Sequence, residues 1–314
     1  MSEMRAVRLS TEGPIIRPHM DARMGDNING PSLIRAPEWL PDRLGEFYLY
    51  FADHKGSYIR LGVADDLLGP WRTHESGALQ LSQTVFPKSD EEFDPGLGPA
   101  RKRGHVYPHI ASPDAVVDHN AQQIRLYFHG QLYDGRQVSR VATSSDGINF
   151  EAGEEILSTS YLRMIHLDDV DEPGWYGMSM PGILYRSDDG LCGFEQGPQL
   201  FADTMRHCAL LRRGHTLWVF WTNVGDAPER IYVSPIELSG DWRSWTAGVH
   251  REVIRPVYDW EGASLPIAPS VRGFAPEPVH ELRDPAIFED NGSAYLLYTV
   301  QGERGIGIAQ LDAG

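Results

Sequence analysis

Apolar residues in this chain fall in short runs that do not repeat at helical spacing. The runs are aromatic or β-branched and are bounded by Gly, Pro, Asp and Asn, as in many short strands joined by tight turns. One stretch sets the plan. Arg283-Asp284 runs straight into the apolar Pro285-Ala286-Ile287-Phe288. Asp290-Asn291-Gly292 then makes a turn, and residues 294–300 and 305–309 read as two further strands. The plan recurs three times upstream. Asn29-Gly30-Pro31-Ser32-Leu33-Ile34 precedes Phe47-Tyr48-Leu49-Tyr50-Phe51. Ser112-Pro113-Asp114-Ala115-Val116-Val117 precedes Ile124-Arg125-Leu126-Tyr127-Phe128. Arg206-His207-Cys208-Ala209-Leu210-Leu211 precedes Leu217-Trp218-Val219-Phe220-Trp221. Self-similarity at this scale predicts a propeller or a solenoid.

A second repeat supports the first. Four turns place an acidic residue a short spacer ahead of an aromatic one: Asp66 before Trp71, Asp146 before Phe150, Asp189 before Phe194 and Asp241 before Trp245. An Asp side chain can hydrogen-bond its own turn, and the aromatic then packs back on the hairpin. In propellers such turns join the third and fourth strands of a blade. The two signals together predict an all-β, five-bladed β-propeller, forming one domain over residues 1–314. Blade 1 runs from Asn29 to about Gln80 and blade 2 from His109 to about Leu157. Blades 3, 4 and 5 begin at Tyr161, Arg206 and Arg283. Blade 5 has only three strands, and Ala6-Val7-Arg8-Leu9 is expected to add the fourth, closing the ring and removing its open edges. Two insertions, residues 81–107 and 252–281, interrupt the period. Loops of this length in a compact domain are often functional rims or lids, and the other reading is a plain solvated loop.

Composition narrows the function. With 44 acidic against 28 basic residues the chain carries a net charge of −16, which argues against nucleic acid and anionic membranes as partners. Cys192 and Cys208 are too few for a disulfide framework and read as two small apolar residues beside buried strands. No secretory leader follows Met1 and no run reaches the roughly 18 apolar residues of a membrane span, so a soluble, cytoplasmic protein is expected. Nothing in the sequence sets an oligomeric state.

In a propeller the first strand of each blade lines the central channel. The residues that converge there on this reading are Asp26, Asn29, His109, Asp114, Arg163, Arg206, His207, Arg283 and Asp284. The ends of second strands add His54, Lys55, His129 and Glu303. So many carboxylates, imidazoles and guanidinium groups in one pocket cost folding energy, which points to a site.

These residues resemble those of the five-bladed propeller glycoside hydrolases: the arabinanase and xylosidase family, the invertase and levansucrase groups, the mannoside phosphorylases and the anhydro-galactosidase family. Arg283-Asp284-Pro285 is similar to the Arg-Asp-Pro motif with which several of them hold sugar hydroxyls. Ser112-Pro113-Asp114-Ala115-Val116 resembles the Ala-Pro-Asp-Val element that carries a supporting aspartate in the arabinanase-like family. Where that family opens its first blade with Asp-Pro-Ser, this chain has Gly30-Pro31-Ser32, so the base is missing from that place. The family's acid glutamate has no counterpart in blade 4, where His207 stands. The anhydro-galactosidase family uses a histidine as its acid, which makes His207 a candidate for that role.

The resemblance implies an exo-acting glycoside hydrolase on a short oligosaccharide or glycoside, active in polysaccharide degradation. Asp114, Asp284, His207, Glu303 and Asp26 are the candidates for chemistry, with Asp26 able to replace the lost base. Asn29, His54, Lys55, His109, His129, Arg163, Arg206 and Arg283 are the candidates for holding sugar. Hydrolysis needs a proton donor to the leaving oxygen and a carboxylate that holds water or attacks. Histidine has a suitable pKa unperturbed, whereas a carboxylate needs desolvation. No cofactor is required, although a calcium ion on the propeller axis is compatible with the residues there. Two other classes fit the same scaffold: a non-hydrolytic sugar-binding propeller, and a phosphorylase or lyase.

Overall fold

The computed structural model describes residues 4–313. Five antiparallel sheets follow one another along the chain as the blades of a five-bladed β-propeller. The innermost strands are Asn29–Arg35, Ile110–Asp118, Arg163–Leu167, Met205–Arg213 and Arg283–Asp290. Each packs against the inner strands of the blades before and after it, and the last packs against the first.

The expected closure is present. Strand Met4–Arg8 pairs antiparallel with Ile306–Ala313, from Met4 opposite Ala313 to Arg8 opposite Ala309, and becomes the outermost strand of blade 5. One buried contact fixes it. Arg8 Nε and Nη2 donate to the two oxygens of Glu261 at 2.6 and 2.9 Å, and Glu261 is fully buried. A paired charge there is tolerated because each oxygen is also bonded, Oε1 by Tyr298 Oη at 3.0 Å and Oε2 by Val257 N at 2.8 Å.

The aromatic residues of the second strands hold blade to blade. Tyr50 Oη donates to Gly147 O at 2.7 Å, joining blade 1 to blade 2, and Tyr127 Oη donates to Gly190 O at 2.8 Å, joining blade 2 to blade 3. Both acceptors belong to the Asp-Gly turns read from the sequence. Those turns form for the expected reason. Asp146 Oδ1 accepts from the amides of Ile148 and Asn149 at 2.8 and 2.7 Å, and Asp189 Oδ1 from those of Leu191 and Cys192 at 2.7 and 2.9 Å. Trp71, Phe150 and Trp245 then pack inward and are buried, with Phe194 partly so.

Two details differ from the sequence reading. Arg251–Ile254 is the fourth strand of blade 4, so the second insertion begins only after it. Cys192 is exposed in its turn, whereas Cys208 is buried. Among the described residues no helix is long and apolar enough to cross a membrane.

Candidate active site

One backbone device recurs at the head of every inner strand. Gly30, Ser112, Tyr161, His207 and Asp284 all have left-handed φ, at 56, 49, 63, 46 and 47°. They occupy one register, each followed two residues later by Ser32, Asp114, Arg163, Ala209 or Ala286. In four blades the pairing with the second strand shifts at this point: between Asn29 and Ser32, Ala111 and Asp114, Arg206 and Cys208, and Arg283 and Ala286. A bulge of this kind bends the strand and re-aims a side chain. For a non-glycine residue the left-handed conformation costs about 1–2 kcal/mol, and such strain collects at functional sites.

Neighbours round this ring touch. The rings of Tyr161 and His207 lie 4.6 Å apart, and His207 contacts Asp284. At the blade-1 position a Cβ on Gly30 would stand 2.7 Å from Ser112 Cα, closer than atoms can approach. The place where the arabinanase-like pattern has its aspartate is thus too tight here for any side chain. The carboxylate of the ring comes instead from the same register of blade 5, as Asp284.

Two imidazole–carboxylate pairs form around it. Asp284 is buried, with Oδ1 3.0 Å from His207 Nδ1 and Oδ2 accepting from Thr299 Oγ1 at 3.1 Å. The amide of Asp284 also points at His207 Nδ1, at 3.3 Å. One nitrogen cannot both accept from the amide and donate to the carboxylate. The carboxylate contact is shorter and charge-assisted, so it sets the tautomer: Nδ1 carries the proton and Nε2 is free. Glu303 makes the second pair, with Oε1 3.3 Å from His54 Nδ1 and 3.2 Å from Arg283 Nη1, while Oε2 accepts from Asn27 Nδ2 at 2.6 Å.

Behind these pairs lies a charged layer. Arg283 binds Glu281 through Nε at 2.6 Å and Nη2 at 2.5 Å. Arg206 grips both oxygens of Glu229, at 2.9 and 2.7 Å. Two guanidinium groups thus face four carboxylates: Glu229, Glu281, Glu303 and Asp284. Burial would raise the Asp284 carboxyl, but His207, Arg206 and Arg283 outweigh it and hold it well below the usual range. Glu303 follows the same logic: burial opposes ionisation, His54 and Arg283 win, and the value falls to about 2. For His207 burial wins over the attraction of Asp284, so the ring is held below the ordinary imidazole value. Both carboxylates are therefore ionised at neutral pH, and His207 is neutral.

The two imidazoles line a cavity of ≈ 470 Å³, together with Tyr107, Tyr161 and Phe274. The insertions build its rim, since Tyr107 comes from the first and Phe274 from the second. Buried His109 and His129 connect Tyr107 to Tyr161. Ring centroids run from Tyr107 to His109 at 4.6 Å, to His129 at 5.5 Å and to Tyr161 at 4.5 Å. Burial lowers His109 to about 4 and His129 well below its usual value, so both are neutral rings. His109 Nδ1 donates to Tyr107 O at 3.0 Å. His129 Nδ1 is buried with no protein partner.

Of the residues expected at the site, His54, Arg206 and His207 line the cavity, with Asp284, Glu303 and Arg283 behind them. Asn29 is buried beside Asn27, to whose Oδ1 it donates at 3.3 Å. Lys55 stands at the mouth, 4.1 Å from the centroid of Phe274. Asp26 does not join the set. It faces outward, more than half exposed, against His19 at 2.8 Å and Arg304 at 3.6 Å, and so does not replace the base absent at Gly30.

Asp114 lies two residues along its strand from the ring and holds blades together. Its Oδ2 accepts from Met164 N of blade 3 at 2.8 Å. Ser32, at the same register of blade 1, accepts from Ala115 N of blade 2 at 2.8 Å through its hydroxyl. The two side chains perform one structural task. Arg163 pairs with Asp114 at 3.2 Å and donates to Pro113 O at 2.6 Å and Pro31 O at 3.3 Å. Blades 1 and 3 are not neighbours, so this guanidinium crosses the channel. Among the described residues no group of three or more His, Cys, Asp or Glu could hold a metal.

Sequence reasoning missed Tyr107, Tyr161 and Phe274. Tyr161 was open to discovery, because it sits at the offset from blade 3 that His207 has from blade 4. The two residues on the insertions carried no such signal.

No family model matches the chain. Two solved structures share its fold at low identity. One, of the GH130 family of mannoside phosphorylases and described as containing hydrolases that target β-1,2 mannosidic linkages in Candida mannan, matches with TM-score 0.65 at 10% identity, over 97% of this chain and 93% of that one. The other is a family-43 β-xylosidase/α-arabinofuranosidase from a compost microbial metagenome, in complex with xylotriose. It matches with TM-score 0.59 at 14% identity, over 99% and 96%. The chain therefore shares the five-bladed propeller of these carbohydrate-active enzymes. In sequence it is 36% identical over 311 residues to the uncharacterized protein R118 of Acanthamoeba polyphaga mimivirus, covering 91% of this chain and 83% of the relative. The chain belongs to the family of that viral protein.

Proposed function

We propose that the protein is a glycosidase that removes a terminal unit from a short oligosaccharide or glycoside bound in the central cavity. The observation that carries this reading is the presence of two imidazole–carboxylate pairs on one cavity, His207–Asp284 and His54–Glu303. Arg163 fills the channel through its bonds to Pro31 and Pro113, which favours a blind pocket and hence an end-on substrate.

Each group has a role consistent with its charge. Water stands against His207 Nε2 and attacks the anomeric carbon, and Nε2 takes its proton. The imidazolium so formed is stabilised by ionised Asp284. The bond from the anomeric carbon to the leaving oxygen breaks, and that oxygen takes the Nε2 proton of a His54 imidazolium, which is left neutral with its Nδ1 proton on Glu303. Solvent returns His207 and His54 to their starting states. The rings of Tyr107, Tyr161 and Phe274 line the cavity and offer faces to the sugar.

The reading is tested by turnover on a panel of aryl glycosides and oligosaccharides, with and without phosphate. Hydrolysis independent of phosphate is expected. A base must be unprotonated, and His207 is held below the ordinary value near 6.5. The acid limb of kcat/KM should therefore lie below pH 6.5, with the rate lost as pH falls through it, and His207→Gln should abolish that limb. Strict phosphate dependence would make the protein a phosphorylase. Saturable binding with no turnover on any substrate would make it a sugar-binding propeller.

A further inference from the structure

The lining of the cavity departs from the charge of the protein. The chain has a net charge of −16, yet no Asp or Glu lines the cavity wall, which includes Arg103, Arg206 and Arg272. Asp284 and Glu303 stand behind His207 and His54. We propose that the substrate is an anionic sugar, one bearing a carboxylate, sulfate or phosphate group, and that Lys55, Arg103 and Arg272 hold that group at the cavity mouth. The proposal rests on the glycosidase reading above and names its substrate class.

Whether each cation is already neutralised decides the matter. Arg206 is, by its two bonds to Glu229. The other three are not. Arg272 donates to the carbonyl of Asp203 at 2.6 Å and contacts Met180 Sδ at 3.7 Å, with no carboxylate in its ion-pair or hydrogen-bond set. Lys55 Nζ lies over two rings, 4.1 Å from the centroid of Phe274 and 5.1 Å from that of Tyr107, again with no carboxylate. Arg103 is exposed at the lining and has no ion pair. Many arginines elsewhere are paired with carboxylates: Arg243 holds Glu172, Glu195 and Asp241, and Arg35 holds Glu46 and Asp290. In a protein with surplus carboxylates, three cations left without one at a single mouth make a local positive field.

The three come from separate places: the end of a second strand in blade 1, the first insertion and the second insertion. Both long departures from the repeat thus contribute a cation to one spot. The donor and acceptor balance agrees. Guanidinium and ammonium groups only donate, whereas neutral sugars are commonly held through carboxylates that accept from their hydroxyls. A wall rich in donors and lacking carboxylates suits a ligand rich in acceptor oxygens. Carboxylate, sulfate and phosphate all qualify, and a guanidinium can meet any of them with two parallel hydrogen bonds.

Binding is measured by calorimetry on the His207→Gln protein, so that turnover does not enter. The probes are glucuronic and galacturonic acids, glucose 6-sulfate, glucose 6-phosphate, glucose, galactose and inorganic phosphate. At least one charged sugar should bind about tenfold or more tighter than its neutral counterpart, the scale of one charge-assisted bond, and the advantage should shrink with added salt. Which one binds best identifies the anionic group. The double variant Arg103→Gln/Arg272→Gln should remove the advantage and leave neutral-sugar binding as it was. Equal binding of charged and neutral sugars overturns the proposal, and so does inorganic phosphate binding as tightly as every charged sugar. The two readings fail separately. Charge preference without turnover in the unmodified protein removes the glycosidase, and turnover of neutral glycosides without charge preference removes the anionic substrate.

Discussion

Asp284→Asn is expected to lower kcat/KM by about 10²–10⁴-fold while the protein stays folded. The fold survives because residue 284 sits at φ 47°, and asparagine is among the few residues that tolerate the left-handed region. Alanine there would be strained. The rate falls because an amide removes the charge that stabilises an imidazolium on His207. It can also present its NH₂ to Nδ1, which then becomes the acceptor, so that the proton moves to Nε2 and blocks the nitrogen that should take one from water. The loss should appear in kcat rather than in KM, since the carboxylate acts through His207 and does not line the cavity. Steady-state kinetics beside a thermal melt checks this. An unchanged kcat, or a lost rate explained by a collapsed melt, would remove Asp284 from the mechanism.

The second large effect is on stability. Asp114→Ala should cost about 3–5 kcal/mol, because it leaves the buried Arg163 without its counter-charge. It also leaves the amide of Met164 without an acceptor. The pair is not itself a source of net stability: burial outweighs Arg163 and leaves the Asp114 carboxyl above its ordinary value. The double variant Asp114→Ala/Arg163→Met should therefore recover much of the loss, which a denaturant melt of the two single and one double variants resolves. Asp114→Ser, which copies Ser32 at the same register, should keep the bond to Met164 but still leave Arg163 unpaired. An Asp114→Ala protein as stable as the parent would contradict the inter-blade role.

The blades were legible because their signal is repeated and local. Asp146 and Asp189 bond their own turns, Phe150 packs just beyond, and the same few letters mark each blade. The site was legible only in part. His207 and Asp284 stand out as polar residues at a fixed offset before an apolar strand. Their contact, however, depends on a bulge in each strand that no letter announces. Asp114 has the same offset pattern shifted by two residues, and composition alone could not separate a residue that faces the cavity from one that bonds the next blade. Glu229, Glu261 and Glu281 are buried acids. For Glu229 the neutralising arginine arrives from another strand, and for Glu261 from the other end of the chain, so no local pattern announces their burial. Phe274 and Arg272 lie on an insertion without periodicity, so only its path over the channel could place them.

The strand that closes the ring is made long before it can be used. At about 5–20 residues per second, translation separates Met4–Arg8 from Ile306–Ala313 by roughly 15–60 s. Met4–Arg8 has no partner during that time, since its neighbour Ile306–Ala313 is still to be translated. The first four blades can fold as they emerge, but the inner strand of blade 1 lacks its neighbour in blade 5 until the end. Blade 5 also stays an open three-stranded edge until the early strand returns to it. The nascent protein thus spends its whole synthesis with an unpaired segment at one end and an incomplete sheet at the other, both apt to pair with a neighbouring chain on the same polysome. Its yield in a cell is set by how well that interval is guarded as much as by how stable the finished ring is.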